Sequence, residues 1–75
     1  MISKENFANR LASLRKAHKL TQQQLGKELN TTKQNINNWE KCVSLPSLDI
    51  ASALADYFDV SLDYLVGRSD NPERL

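Results

Sequence analysis

Apolar residues recur along the chain at three- and four-residue intervals, with polar residues between them. Phe7, Ala8, Leu11 and Leu14 share one face at that spacing, which predicts a first helix over about residues 5–17. Ser3 stands where it can cap this helix, and Glu5 where an acid suits the helix dipole. Thr21-Gln22-Gln23-Gln24 has the form of a capping box and opens a short second helix, with Leu25 and Leu29 inward. Asn30 ends it, because asparagine tolerates the left-handed backbone of a tight turn. Thr31-Thr32-Lys33-Gln34 opens a third helix that ends near Glu40, and residues 42–46 form a loop. Ser47 caps a fourth helix bearing Leu48, Ala51, Leu54, Ala55 and Phe58. Ser61 caps a short fifth helix bearing Leu62 and Leu65, and Gly67 is its stop. No segment alternates apolar and polar residues, so no strand is predicted. The expectation is an all-α, compact five-helix domain over residues 1–68, followed by a flexible tail over residues 69–75.

The third helix has an unusual outward face. At about 100° per residue, with Lys33 at zero, Asn37 falls near 40°, Gln34 near 100° and Asn38 near 140°. Ile36 and Trp39 fall on the opposite side, near 300° and 240°. Three amides and a cation therefore share one face, with no acid among them. Two adjacent asparagines are poor helix formers, so helix propensity does not explain them. Major-groove chemistry does: amides can both donate to and accept from base edges, and lysine can donate to guanine. A short helix, a tight turn and a second short helix with such a face compose a helix-turn-helix. Gly26 fits this unit, since a small residue there lets the second and third helices cross closely.

Charge sharpens the picture. Residues 1–41 carry eight bases and three acids, a balance of +5, whereas residues 42–75 carry two bases and six acids, a balance of −4. A chain polarised in this way can turn a basic end toward a polyanion. The net charge of +1 alone would not reveal it.

Taken in register, Leu20-Thr21-Gln22-Gln23-Gln24-Leu25, Ile36-Asn37-Asn38-Trp39-Glu40, Pro46-Ser47-Leu48 and Val60-Ser61-Leu62-Asp63-Tyr64-Leu65 resemble the lambdoid phage repressor and Cro-type (XRE-like) helix-turn-helix family over about residues 6–68. The resemblance implies a sequence-specific transcriptional regulator, most often a repressor, that reads double-stranded DNA as a homodimer on a palindromic operator. It implies base reading by Thr32, Lys33, Gln34 and Asn38, with Asn37 at the edge of the footprint. Gln22 is implied to bind a phosphate and to brace the reading helix. Lys41 and Ser44 are further phosphate candidates, as is Arg15. Arg15 and Glu40 match an ion pair found in relatives, and Tyr64 and Val66 are the implied exposed dimer residues on the fifth helix. Relatives often carry glycine at the positions of Lys19, Asn30 and Cys42. Asn30 substitutes readily, but lysine and cysteine fit a left-handed turn less well, so those two turns are expected to take another shape. The loop after the third helix is often basic in relatives. Here it offers Val43, Ser44 and Leu45, which predicts fewer phosphate contacts and a shallower salt dependence.

Other chemistry finds little support in the residues. The one histidine, His18, and the one cysteine, Cys42, make no plausible metal site, and no glycine-rich phosphate loop exists. The acids are scattered, so neither a cofactor nor an enzyme activity is expected. A lone thiol suits a reducing cytosol, and no stretch reads as a signal peptide or membrane span, so a cytoplasmic protein is expected. Two rival readings remain: a protein-interaction module such as an antitoxin, with a protein partner, or the DNA-reading part of a longer regulator.

Overall fold

The computed structural model describes residues 2–74; Met1 and Leu75, the outermost residues of the expected domain and tail, lie outside the described residues. Five helices follow one another: α1 (Lys4–Ala17), α2 (Gln22–Glu28), α3 (Lys33–Glu40), α4 (Leu48–Phe58) and α5 (Leu62–Leu65). No strand occurs among the described residues.

Each helix begins with a hydroxyl side chain. Ser3, Thr21, Thr32, Ser47 and Ser61 each accept a hydrogen bond from the backbone N–H three residues on. At α2 the capping box is complete, because Gln24 Oε1 also accepts from the Thr21 N–H at 2.8 Å. The helix ends are equally uniform. Lys19, Asn30, Cys42, Asp59 and Gly67 all have φ between 55° and 83°. At each, the following N–H reaches back to a carbonyl near the helix end: Leu20 to Arg15, Thr31 to Gly26, Val43 to Asn38, Val60 to Ala55 and Arg68 to Asp63. Lys19 and Cys42 thus adopt the left-handed turn that their side chains disfavour. The satisfied carbonyls outweigh a backbone cost of about 1 kcal/mol at each.

One core unites the helices. Phe7 and Leu11 of α1, Leu25 of α2, Ile36 and Trp39 of α3, Leu54 and Phe58 of α4, and Leu65 of α5 are buried in a single cluster. Two of the apolar residues on α4 and α5 lie outside it. Leu48 is 79% exposed and Leu62 is also exposed. Both occupy the first position of their helices, where the side chain leans beyond the end of the core.

The end of the chain differs from the expected loose tail. Residues 69–74 fold back: the Ser61 N–H donates to the Pro72 carbonyl at 2.9 Å, and Arg74 donates to the Ala55 carbonyl at 3.2 Å. Arg10 donates to the carbonyls of Tyr64 and Ser69 and to Asp70 Oδ1, holding this segment against α1. Nothing in the local sequence signals this arrangement, because the partners of Arg10 lie 54 to 60 residues away.

Candidate nucleic-acid interface

Gly26 sets the spacing of α2 and α3. A Cβ placed there would lie 3.1–3.2 Å from backbone atoms of Thr31, Thr32 and Lys33. A residue without a side chain lets the turn pass this close without displacing that backbone by a few tenths of an ångström. Ile36 and Trp39 then anchor α3 from below, both buried. Thr32, Lys33 and Gln34 stand exposed on its far side, and Asn38 is half-buried beside them. Gln34 Nε2 donates to Asn38 Oδ1 at 3.0 Å, one helical turn apart, so these two outward amides are already oriented. Asn35 donates to Thr31 Oγ1 at 2.9 Å and closes the turn.

An ion pair locks the unit to α1. Arg15 Nε and Nη2 donate to Glu40 Oε2 and Oε1 at 2.6 and 3.0 Å, and Arg15 Nη1 donates to the Leu20 carbonyl at 2.8 Å. Only 13% and 8% of the two side chains is exposed. Hydrogen bonding to Glu40 raises the Arg15 pKa above its ordinary value, against the lowering effect of burial. With its guanidinium so engaged, Arg15 serves the ion pair and is not presented as a free cation for a phosphate.

Gln22 sits beside this pair. Its Nε2 donates to Glu40 Oε1 at 3.1 Å and to Asn37 Oδ1 at 3.3 Å. The brace between α2 and α3 is therefore made of side-chain amides. Both hydrogens that a phosphate would need are in use. Asn37 is half-buried against Gln22 and does not stand apart with Gln34. The brace expected of Gln22 is made through Asn37 and Glu40, partners that the sequence did not single out for it.

Lys41 is exposed at the C-terminal end of α3, and Ser44 is half-buried in the loop beyond it. On the opposite flank, Val66 is only 8% exposed and belongs to the core. The following turn presses against α1, where a Cβ on Gly67 would lie 2.5 Å from Asn6 Cβ, and this carries Val66 inward. Tyr64 is half-buried beneath the Arg10 guanidinium, 4.2 Å from its ring centroid. Of the two residues expected as an exposed dimer surface, Val66 is thus buried and Tyr64 half-buried. The exposed apolar residues nearby are Ile2, Leu45, Leu48 and Leu62, around a cleft of about 230 Å³. Among the described residues, no group of acids, histidine and cysteine could hold a metal ion, and no helix is long and apolar enough to cross a membrane.

Known proteins share this arrangement. A family model described as helix-turn-helix matches residues 11–65. The uncharacterised HTH-type transcriptional regulator YobD of Bacillus subtilis is 40% identical over 67 residues, covering 89% of this chain and 60% of YobD. The HTH-type transcriptional activator BcrR of Enterococcus faecalis is 30% identical over 60 residues, covering 80% of this chain and 29% of BcrR. This chain therefore spans less than two thirds of the length of these relatives. The solution structure of the SOS-response transcriptional repressor LexA from Eubacterium rectale superposes with a TM-score of 0.80 at 30% identity, over 84% of this chain and 67% of that one. With its capped helices, its glycine-spaced crossing and its polar third-helix face, the chain belongs to the helix-turn-helix family, alongside proteins named as HTH-type transcriptional regulators.

Proposed function

We propose that this protein is a sequence-specific, double-stranded DNA-binding transcriptional regulator without enzymatic activity, acting in the cytoplasm. The observation that carries this reading is the acid-free outward face of α3. Thr32, Lys33, Gln34 and Asn38 project from a helix held rigidly by Ile36, Trp39 and the Arg15–Glu40 pair. Such a helix fits the major groove, and these side chains match the donors and acceptors displayed there. Lys41 and Ser44 supply phosphate contacts that set the register. Because the loop around Ser44 holds no cation, affinity falls less steeply with salt than a basic loop would produce.

A single domain of this size spans few base pairs, so specificity calls for two copies on a palindrome, about one helical turn (~34 Å) apart. The surface that suits a second copy is the cleft around Ile2, Leu45, Leu48 and Leu62. Its rim bears exposed Asp63 and Arg68. An acid and a base on one rim are self-complementary under a two-fold axis. Repression, as in the LexA relative, is the favoured outcome of operator binding.

Selection of bound duplexes from a random-sequence pool tests the reading directly. A two-fold symmetric motif is expected. Gln34→Ala should weaken binding by about 1–3 kcal/mol and relax the preference at one base position. Equal losses on every sequence would refute base reading. Failure to bind any duplex at moderate salt, together with capture of a protein on the apolar cleft, would instead favour an antitoxin-like interaction module.

A further inference from the structure

Glu40 is a pure acceptor when ionised, and its neighbours are ordered by that fact. Arg15 fills one side of the carboxylate. Gln22 must then turn its NH2 group toward Glu40 Oε1, because an amide oxygen there would oppose a carboxylate oxygen. The usual ambiguity between the two ends of an amide is thereby removed. One Gln22 hydrogen goes to Glu40, and the other goes to Asn37 Oδ1. Asn37 is fixed in its turn, with its oxygen facing inward. Its Nδ2 has no partner among the described residues, and no buried side-chain nitrogen or oxygen there lacks one. The Asn37 NH2 group is therefore open to solvent at the border of α2 and α3.

Resting on the DNA-binding reading above, we propose that Glu40, acting through Gln22, turns the Asn37 oxygen inward so that this side chain presents its NH2 group to a hydrogen-bond acceptor on DNA. That acceptor is a phosphate oxygen or the N7/O6 edge of guanine. Adenine is the weaker match: it offers N7 alone to a donor, and its bidentate pairing takes one donor and one acceptor from the same amide. Gln22 has no hydrogen left for a phosphate and is a positioning residue for Asn37.

The test uses a labelled duplex enriched from a random pool, a second duplex of unrelated sequence, and the variants Q22M, N37A and Q22M/N37A. N37A is expected to weaken binding about tenfold, the size of a lost hydrogen bond to a charged or well-placed acceptor. Q22M should cause a similar loss, and the double variant should be no worse than the poorer single one. Losses that multiply show Gln22 touching DNA independently and overturn the assignment. An unchanged affinity for N37A overturns it as well. A phosphate partner weakens both duplexes alike, whereas a guanine partner erases one G·C preference on the enriched duplex alone. Side-chain amide NMR of the free protein supplies a readout independent of DNA. Both Gln22 Nε2 protons should be protected from exchange, and those of Asn37 should exchange as an exposed amide. The reverse pattern overturns the relay even where DNA binding is intact. Wild-type protein that binds no duplex sinks the DNA-binding reading together with this one.

Discussion

The two halves of this molecule use charge in opposite ways. In the half containing α1, α2 and α3, the bases outnumber the acids, yet the decisive charges are inside: Arg15 and Glu40 are nearly covered and bonded on two sides. In the half containing α4, α5 and the returning chain end, acids predominate, and the ion pairs stand in solvent, as with Asp63 and Arg68 at 4.0 Å. A buried pair cannot lose one member cheaply, whereas an exposed pair is nearly free to come apart. Beyond the core that all five helices share, the half containing α1, α2 and α3 is therefore fixed by a covered ion pair, and the charge contacts of the other half stay at its surface.

The largest expected effect comes from breaking that contrast on its rigid side. Glu40→Ala strands the Arg15 guanidinium and removes a partner of Gln22. It should cost about 3 kcal/mol of stability, measured by urea denaturation. Asp63→Ala is its counterpart on the other half and should leave the same midpoint within experimental error. A midpoint shift for Asp63→Ala as large as that for Glu40→Ala would abolish the distinction between the halves. Next in size is Gly26→Ala, whose new methyl group meets backbone at 3.1–3.2 Å. A loss of about 1–3 kcal/mol is expected, with DNA affinity falling more than stability alone explains. The exposed apolar residues offer a test of a different kind. Leu48→Ser should leave thermal stability nearly unchanged, since the side chain is exposed, while reducing cooperative binding of two copies to a palindrome in a gel-shift titration. The smallest effect is a gain. Lys19→Gly or Cys42→Gly relieves a left-handed backbone and should stabilise by up to about 1 kcal/mol in thermal unfolding.

The sequence was most legible where one local rule decides the outcome. Ser3, Thr21, Thr32, Ser47 and Ser61 were readable as caps because a cap needs only a hydroxyl and a nearby N–H. Gly26 and the inward Ile36 and Trp39 were readable because helix–helix approach and helical periodicity constrain them strongly. Val66, implied by the resemblance to be exposed, is buried, while Leu48 and Leu62, apolar residues of α4 and α5, stand in solvent. Periodicity reports the side of a helix and not where the core ends along its axis. The return of residues 69–74 was illegible, since it depends on carbonyls that only the folded chain brings to Arg10. Lys19 and Cys42 were expected to avoid a conformation they in fact adopt, because propensity at one residue yields to two carbonyls that would otherwise go unpaired. Within the candidate interface, residue types pointed to the reading face. Only the coordinates showed that Gln22 and Asn37 are bound to each other.

The division of α3 into anchored and outward residues has an evolutionary consequence. Lys33 and Gln34 touch no core, so under the proposed reading their replacement would alter which operator is chosen while the scaffold persists. Asn37 lacks that freedom, since it is tied through Gln22 to a buried carboxylate. On that reading, divergent descendants of this chain would acquire new target genes by drifting at a few exposed sites, with position 37 the slowest among them to change.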